Sequence, residues 1–374
     1  MYDAIVVGAR CAGSPTAMLL ARRGYRVLLV DRASFPSDTL STHYIHIPGV
    51  LRLHRWGLLE RVRQAGGRPI PKITLHLGKV TVVPPPPPGL PPGLAPEAYC
   101  PRRTVLDAIL VDAAVGAGAE LRERFSVRDL VWEEGRVAGV RGRAGGREVT
   151  ERARLVIGAD GLHSQVARLV NAPAYHTRPT LTFGYYTYWS DVAMDGAELH
   201  VSEGGGILAF PTNDGLTCVA VGGSIESFHR FRQDIQGNYF RILEVAPDLA
   251  RRVRAGRREE RFLGTADQPN YFRRPYGPGW ALVGDAGYHR DFVTGLGITD
   301  AFRDAELLAA AADEGLSGRR PLGEALAAYE RHRNEVAEPL YELTCRIAGG
   351  EYVEPAQWIA FSQAMARMIA GPVA

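Results

Sequence analysis

The sequence predicts an α/β fold: a body that opens on a βαβ unit, interrupted by a mostly antiparallel β-sheet, with helices at the C-terminal end. Three observations carry this. The chain opens on an apolar run, a glycine-bearing turn and a helix. Residues 181–224 change texture to strand-like segments divided by glycine turns, and residues 280–312 return to a buried strand followed by a long helix. In order, Ala4–Val7 is short, apolar and β-branched, as a parallel strand covered on both faces should be. Gly8–Gly13 turns. Ala12–Arg23 is helical, with Ala17, Leu20 and Ala21 on one face, and Gly24 stops it before a second strand, Tyr25–Val30. Together these make a βαβ unit. Gly49–Arg63 reads as a helix and Ile73–Val83 as a strand. The run PPPPPGLPPG at 84–93 is poor in backbone donors and is expected as an extended surface loop. Thr104–Val115 is a helix, Leu155–Ile157 a short strand and His163–Val170 a further helix. LTFGYYTYW, AELHVS, GILAFP and LTCVAVGG make up the inserted sheet. Trp280–Val283 is a buried strand, Gly297–Ala312 a helix and Leu322–Ala370 a helical tail.

Bulk properties narrow the function. The 374 residues exceed the size at which one core usually stops growing, so two joined domains are expected. The reading assigns 1–71, 99–180 and 264–345 to a discontinuous nucleotide-binding domain, 72–98 and 181–263 to a substrate-binding sheet domain, and 346–374 to a helical tail. Charge is balanced, 44 basic against 41 acidic residues, with no basic run, so no nucleic-acid partner is expected. Cys11, Cys100, Cys218 and Cys345 form no CxxC pair and no Cys/His cluster with metal spacing, so neither a metal nor a disulfide frame is expected. With no signal-like start and no run long enough to cross a bilayer, the expectation is a cytoplasmic monomer or homodimer without a transmembrane segment.

Residues 8–13 read GARCAG, the dinucleotide fingerprint G-x-G-x-x-G with Arg10 in place of the middle glycine. Gly8 makes the tight turn out of the strand, and Gly13 lets helix and strand pack closely. The helix beginning at Ala12 offers N–H groups and a positive dipole end to a pyrophosphate. Arg10 must splay outward, where it can help neutralise the diphosphate. Asp31 ends the next strand, roughly 20 residues on, where an acid binds the adenosine ribose hydroxyls. It disfavours a 2′-phosphate, which leaves FAD or NAD.

Further motifs choose FAD. Asp285 in Gly284-Asp285-Ala286-Gly287 stands at a strand end, placed to accept a hydrogen bond from a ribityl hydroxyl, a group NAD lacks. Gly295-Leu296-Gly297 opens a helix whose N–H groups can face the flavin N1–C2=O edge. GARCAG with Asp31, Arg103 in RTVLDAIL, Gly158-Ala159-Asp160-Gly161, the Asp285 motif and TGLGITDA occur in order along nearly the whole chain. In these residues the sequence resembles the FAD-dependent aromatic hydroxylases (p-hydroxybenzoate hydroxylase-like) and the related geranylgeranyl reductases. The resemblance implies a Rossmann-type FAD-binding domain, with cofactor contacts from Gly8, Arg10, Ala12, Gly13, Asp31, Arg32, Thr42, His43, Arg103, Val127, Asp160, Gly161, Gly284, Asp285, Gly295, Leu296, Gly297 and Ile298. Arg103 is expected at the FAD phosphate or ribityl region, with Arg102 as its rival. Asp160 is expected to serve FAD and the reduced nicotinamide, or else to cap the helix that follows.

The inserted sheet is implied to roof the flavin and hold the substrate. Tyr185, Tyr186, Tyr188 and Trp189 cluster on its first strand, and an aromatic roof suits a planar or apolar ligand. Strand neighbours alternate faces, so Tyr186 and Tyr188 cannot share one with Tyr185 and Trp189. His43 and His46 follow the segment implied to cross near the flavin ring and are acid/base candidates. His43, His46, Tyr185 and Tyr188 are the catalytic candidates. One departure concerns the substrate side: Phe292 stands where the family has a proline. The implied reaction is hydroxylation of a small aromatic or apolar molecule by O₂ through a flavin C4a-hydroperoxide, with NAD(P)H as transient co-substrate. The alternatives are a C=C reductase, whose YxWxFP element ILAFP matches only in part, and a flavin-dependent halogenase, whose WxWxIP segment is absent.

Overall fold

The computed structural model describes residues 1–202, 205–351, 354, 357–358, 361 and 364–369. Of the expected tail, 352–353, 355–356, 359–360, 362–363 and 370–374 lie outside the described residues.

The body is built on a sheet in the order Tyr276–Gly277, Trp280–Leu282, Arg147–Gly158, Tyr2–Val7, Val27–Val30, Glu120–Arg122. Every pair is parallel except the first. Ile5, Leu28, Val156 and Leu282 face one side, and Ala4, Val6, Leu29, Leu155 and Ile157 the other. A sheet covered on both faces explains why its strands read as unbroken apolar runs. Helices Gly13–Arg22, Arg103–Gly116 and Gly297–Leu316 pack on one face. The other face carries an antiparallel meander, Ser126–Glu133, Arg136–Ala144 and Arg147–Gly158. Only the last few residues of the meander were legible as strand, because much of the remainder exposes polar side chains.

The expected helix 49–63 is two helices, Ile47–Arg55 and Leu59–Gln64, divided at Gly57, whose φ of +77° ends the first. The expected strand 73–83 is a hairpin, Ile73–Leu77 and Val80–Val82, turning at Gly78.

The second sheet runs Arg257–Arg258, Thr182–Ser190, Thr217–Ser224, Gly205–Pro211, Ala197–Ser202, Ile73–Leu77, Val80–Val82, with Leu263–Thr265 also paired to 182–190. It is antiparallel apart from the junction of 197–202 with 73–77. One face, with Tyr186, Tyr188, Phe210 and Cys218, looks toward Tyr44 and Cys100 of the body. The other, with Phe183, Trp189, Ile207, Val219 and Val221, is covered by helices Phe228–Gln233, Ile235–Leu243 and Pro247–Ala255. Strand patterning alone had passed over these helices.

Tyr239 pins this helical layer to the sheet. Its ring is fully buried, its hydroxyl donates to the Val219 carbonyl at 3.0 Å, and Trp189 Nε1–H donates to it at 3.2 Å. Tyr239→Phe keeps the ring and strands the indole donor, so it should cost about 1–3 kcal/mol in urea unfolding. An unchanged midpoint would mean the pin carries no load.

Candidate active site

Three loops distant in sequence meet where no side chain could stand. Gly8 has φ +103°, and a Cβ there would lie 2.4 Å from the Ala159 carbonyl oxygen. A Cβ on Gly13 would lie 1.7 Å from the Gly8 oxygen and 3.1 Å from Ala159 Cβ. Gly284, at φ +62°, would drive a Cβ to 2.7 Å from Ala12. The first turn therefore touches both the Asp160 loop and the Asp285 loop. Ala12 caps its helix without a side-chain bond, and among the described residues the N–H groups of Arg10, Cys11, Ala12 and Gly13 meet no acceptor. The same holds for Leu296, Gly297 and Ile298 at the start of the Gly297–Leu316 helix. Free N–H rows at two helix N-termini are the donor set that a diphosphate and an electron-rich ring edge require. The residues present fit FAD.

The charged candidates divide by role. Both Asp31 oxygens buttress the turn, accepting from Ala9 N at 2.7 Å and Ala33 N at 2.8 Å. Arg32 next to it is exposed. Val127 lies on the meander, paired with Gly142. Arg10 does turn outward, but into protein: it donates to Asp107 at 2.5 Å, to the Ser37 hydroxyl at 3.0 Å and to the Ser37 carbonyl at 3.2 Å. It is thus tied into a cluster with Asp107 and Ser37. Asp107 also holds Arg103, accepting from Nε and Nη2 at 3.0 Å each, and is itself fully buried. Two guanidiniums on one carboxylate leave a net positive charge beside the first turn. Asp107 was missed in sequence, although an acid one turn beyond Arg103 on a largely apolar helix was a usable signal.

Arg102 and Arg103 turn in different directions. Arg103 turns inward, and its charge acts on Asp285. Arg102 turns to the roof, its guanidinium 4.0 Å over the Tyr188 ring and donating to Glu260 at 2.6 Å. Asp285 is partly exposed and its carboxylate makes no hydrogen bond among the described residues. Burial raises its pKa, while the charges of His289 and Arg103 pull it down. Asp160 caps the helix that follows it. Its oxygens accept from the Ser164 hydroxyl at 2.5 Å and from the N–H groups of Gln165 at 2.7 Å and Val166 at 3.1 Å, and Gly161 beside it holds φ +77°.

Of the catalytic candidates, His43 and Tyr188 come together and the other two do not join them. His43 is fully buried at φ +57°, and its Nε2 meets the Tyr188 hydroxyl. Its Nδ1 has no partner among the described residues, and neither have the Tyr186 hydroxyl and Arg102 Nε. Burial, aided by the Arg103 and Arg102 charges, pushes His43 down to about 3. Burial likewise raises the Tyr188 and Tyr186 hydroxyls, so both stay protonated. Thr42 precedes the histidine, half-buried. Tyr185 is corrected: it lies on the far face of the roof, stacked on Phe231 at 5.1 Å, as strand alternation requires. His46 is corrected too. Its Nε2–H donates to the Thr294 carbonyl at 2.9 Å, and Thr299 accepts from its backbone N–H, so it fixes the 294–299 loop. Gly295 there turns at φ +63°. Phe292 fills the proline's place with a ring aimed at the roof, where a Cβ on Gly184 would meet its Cζ at 2.5 Å.

These loops define a flavin-dinucleotide-binding class, and comparison with known proteins agrees. The family model for the FAD binding domain matches residues 1–261. Among curated proteins, digeranylgeranylglycerophospholipid reductase 2 of Methanopyrus kandleri is 29% identical over 79% of this chain and 73% of its own. The digeranylgeranylglycerophospholipid reductase of Methanocella arvoryzae is 26% identical over 82% and 76%. Among solved structures, the myxobacterial chondrochloren halogenase CndH superposes with TM-score 0.84 at 23% identity, covering 99% of this chain and 90% of that one. PqsL, a probable FAD-dependent monooxygenase from Pseudomonas aeruginosa, gives 0.78 at 23% identity, covering 96% and 99%. The chain belongs to the FAD-binding-domain family and is an FAD-dependent oxidoreductase. No helix among the described residues is long and apolar enough to cross a membrane.

Asp285→Ala should purify with most of its flavin lost, read as the ratio of flavin to protein absorbance. A fully yellow variant would remove that acid from the cofactor site. The histidines predict a pH dependence. His46 falls from 6.5 to about 4 on burial. A lowered folded pKa means the unfolded chain binds more protons across that window, so stability rises with pH from about 4 to 6.5. His46→Gln should flatten the wild-type slope there by up to about 1.4 kcal/mol per pH unit, measured by urea unfolding at several pH values. Parallel slopes would contradict the assignment.

Proposed function

We propose that this oxidoreductase is a monooxygenase that uses NAD(P)H and O₂ to hydroxylate a small planar aromatic molecule bearing a polar group. One oxygen atom enters the ring and the other leaves as water, with NAD(P)H supplying the two electrons. Bound FAD would supply the hydride-accepting and O₂-activating chemistry. The chain's part is recognition and exclusion of water.

The observation that carries this reading is the body-facing side of the roof. It is aromatic, with Tyr44, Tyr186, Tyr188 and Phe210 around His43, yet it holds unpaired polar atoms at His43 Nδ1, Tyr186 Oη and Arg102 Nε. A hydrocarbon chain bound there would leave them unsatisfied, at about 1–3 kcal/mol each. A phenol, aniline or carboxylated ring would engage them. Tyr188, held protonated, can donate to His43 Nε2, so that Nδ1–H faces the substrate as a donor. Arg102 favours a substrate oxygen carrying negative charge.

A second reading, saturation of C=C bonds in an isoprenoid, has one observation in its favour. The curated relatives of similar sequence are named digeranylgeranylglycerophospholipid reductases. The two readings separate in one experiment. Aromatic compounds are screened for stimulated NAD(P)H oxidation under ¹⁸O₂, with product mass analysis. Product carrying one labelled oxygen supports hydroxylation. Substrate-dependent turnover without O₂, giving a product two hydrogens heavier, supports the reductase and overturns the first reading. Tyr186→Phe should raise KM for the hydroxylated substrate roughly tenfold at unchanged flavin content, the equivalent of one lost hydrogen bond.

A further inference from the structure

On the roof sheet, away from the His43 face, strand Ala197–Ser202 runs parallel to strand Ile73–Leu77, with Glu198 opposite Thr74 and His200 opposite His76. Residues two apart on a strand share a face, and so do directly opposed pairs, so Glu198, His200 and His76 point the same way. Leu75, Leu77, Leu199 and Val201, at the alternate positions, pack with Trp358 on the other side. The polar trio is thus on the face opposite that apolar cluster.

The three side chains are close enough to share one ion. One donor atom from each lies within 4.8 Å of the other two. His200 Nε2 lies 3.3 Å from Glu198 Oε2, and the His76 and His200 rings are stacked, centroids 4.2 Å apart and planes 8° from parallel; since each lone pair lies in its ring plane, one ring must rotate about χ2 to bring both nitrogens onto one ion. All three are half-buried, so their lone pairs are sheltered but reachable. We infer that His76, Glu198 and His200 form a binding site for one borderline divalent transition ion such as Zn²⁺, independent of the flavin.

The donor set fits that class. Two imidazoles and a carboxylate suit zinc, nickel and copper, and leave positions open for water. Supporting contacts exist on both sides. Thr81 Oγ1 lies 3.1 Å from His76 Nδ1 and can hold that nitrogen as the donor, which leaves Nε2 its lone pair. Arg252 Nη2 donates to both Glu198 oxygens, at 2.7 and 2.8 Å, orienting the carboxylate from the helical layer. Arg252 also opposes a dication, which sets the expected affinity in the micromolar range and not below it. The ion would clip the hairpin Ile73–Val82 to the rest of the roof.

The test is calorimetric titration of ZnCl₂ into untagged holoenzyme, beside His200→Ala and the double variant His76→Ala/His200→Ala, with thermal unfolding followed in parallel. The expected result is one equivalent bound by the wild type, loss of that equivalent in both variants, and a zinc-dependent rise in melting temperature in the wild type alone. Flavin content stays unchanged throughout. Equal zinc uptake by wild type and variants overturns the inference, as does no uptake by the wild type at millimolar ZnCl₂. Should His200→Ala fail to fold, His200→Gln gives the same comparison.

Discussion

The structure depends on one close approach. The turn Gly8–Gly13 presses on the Ala159 carbonyl and on Gly284 at distances only hydrogen could fill. The contact ties the first βαβ unit to the strand ends of the two neighbouring parallel strands, so the loops bearing Asp31, Asp160 and Asp285 open on the same edge of the sheet. It also aims the free N–H groups of the first helix outward, since the turn itself offers them no acceptor. A methyl group at Gly13 would push the helix off the sheet and spoil the groove and the core together. Position 10 tolerates arginine because its side chain leaves the turn altogether and is taken up by Asp107 and Ser37.

Charge is handled beneath both helix N-termini in the same manner. Asp107 holds Arg10 and Arg103 beside the first. Beside the second, Asp300 accepts from Arg290 at 2.5 Å and from Arg303 at 2.9 Å, and Asp304 accepts from Arg303 Nη2 at 2.6 Å, all of them buried. Buried ion pairs rarely add much net stability, because desolvation offsets the attraction. What such clusters contribute here is position. Each fixes a loop against a helix that is otherwise held by non-directional apolar packing; the first, two guanidiniums on one carboxylate, also leaves a net positive charge next to its row of N–H donors, while the second is balanced. The favourable setting for an anionic diphosphate, or for charge developing on a reduced ring, thus exists before any ligand arrives.

Much of the body was legible because parallel strands and their helices carry periodic apolar patterns and because the glycines stand where a turn needs them. Gly8, Gly13 and Gly284 could be assigned from sequence for that reason. What escaped was governed by partners far along the chain. The break in the helix over 49–63 is the exception, since it is local: Gly57 at positive φ lets the Leu58 N–H reach the Leu53 carbonyl at 2.7 Å, and the apolar pattern running on through Leu58 and Leu59 hid it. His46 resembled an acid/base group because a histidine's role lies in what its ring nitrogen meets, here the carbonyl of Thr294. Asp160 was ambiguous in sequence between cofactor and cap, and its capping bonds to Ser164, Gln165 and Val166 could be seen only in the fold. The His76–Glu198–His200 trio has no metal-ligand spacing in the sequence, since the parallel junction of two strands creates it.

The roof resolves the last ambiguity by parity. A strand reading TFGYYTYWS offers aromatic rings to both sides, and composition alone could assign none of them to the site. Alternation splits them: Phe183, Tyr185 and Trp189 go to the helical layer, and Tyr186 and Tyr188 to the body. Gly184 falls on the body side too, and there the absence of a side chain admits the Phe292 ring from the Asp285 loop. The substitution of phenylalanine for the family's proline is therefore matched by a gap in the facing strand. Loop and roof are coupled through that ring. Farther along the same face, the buried His43–Tyr188 pair makes the second contact between body and sheet.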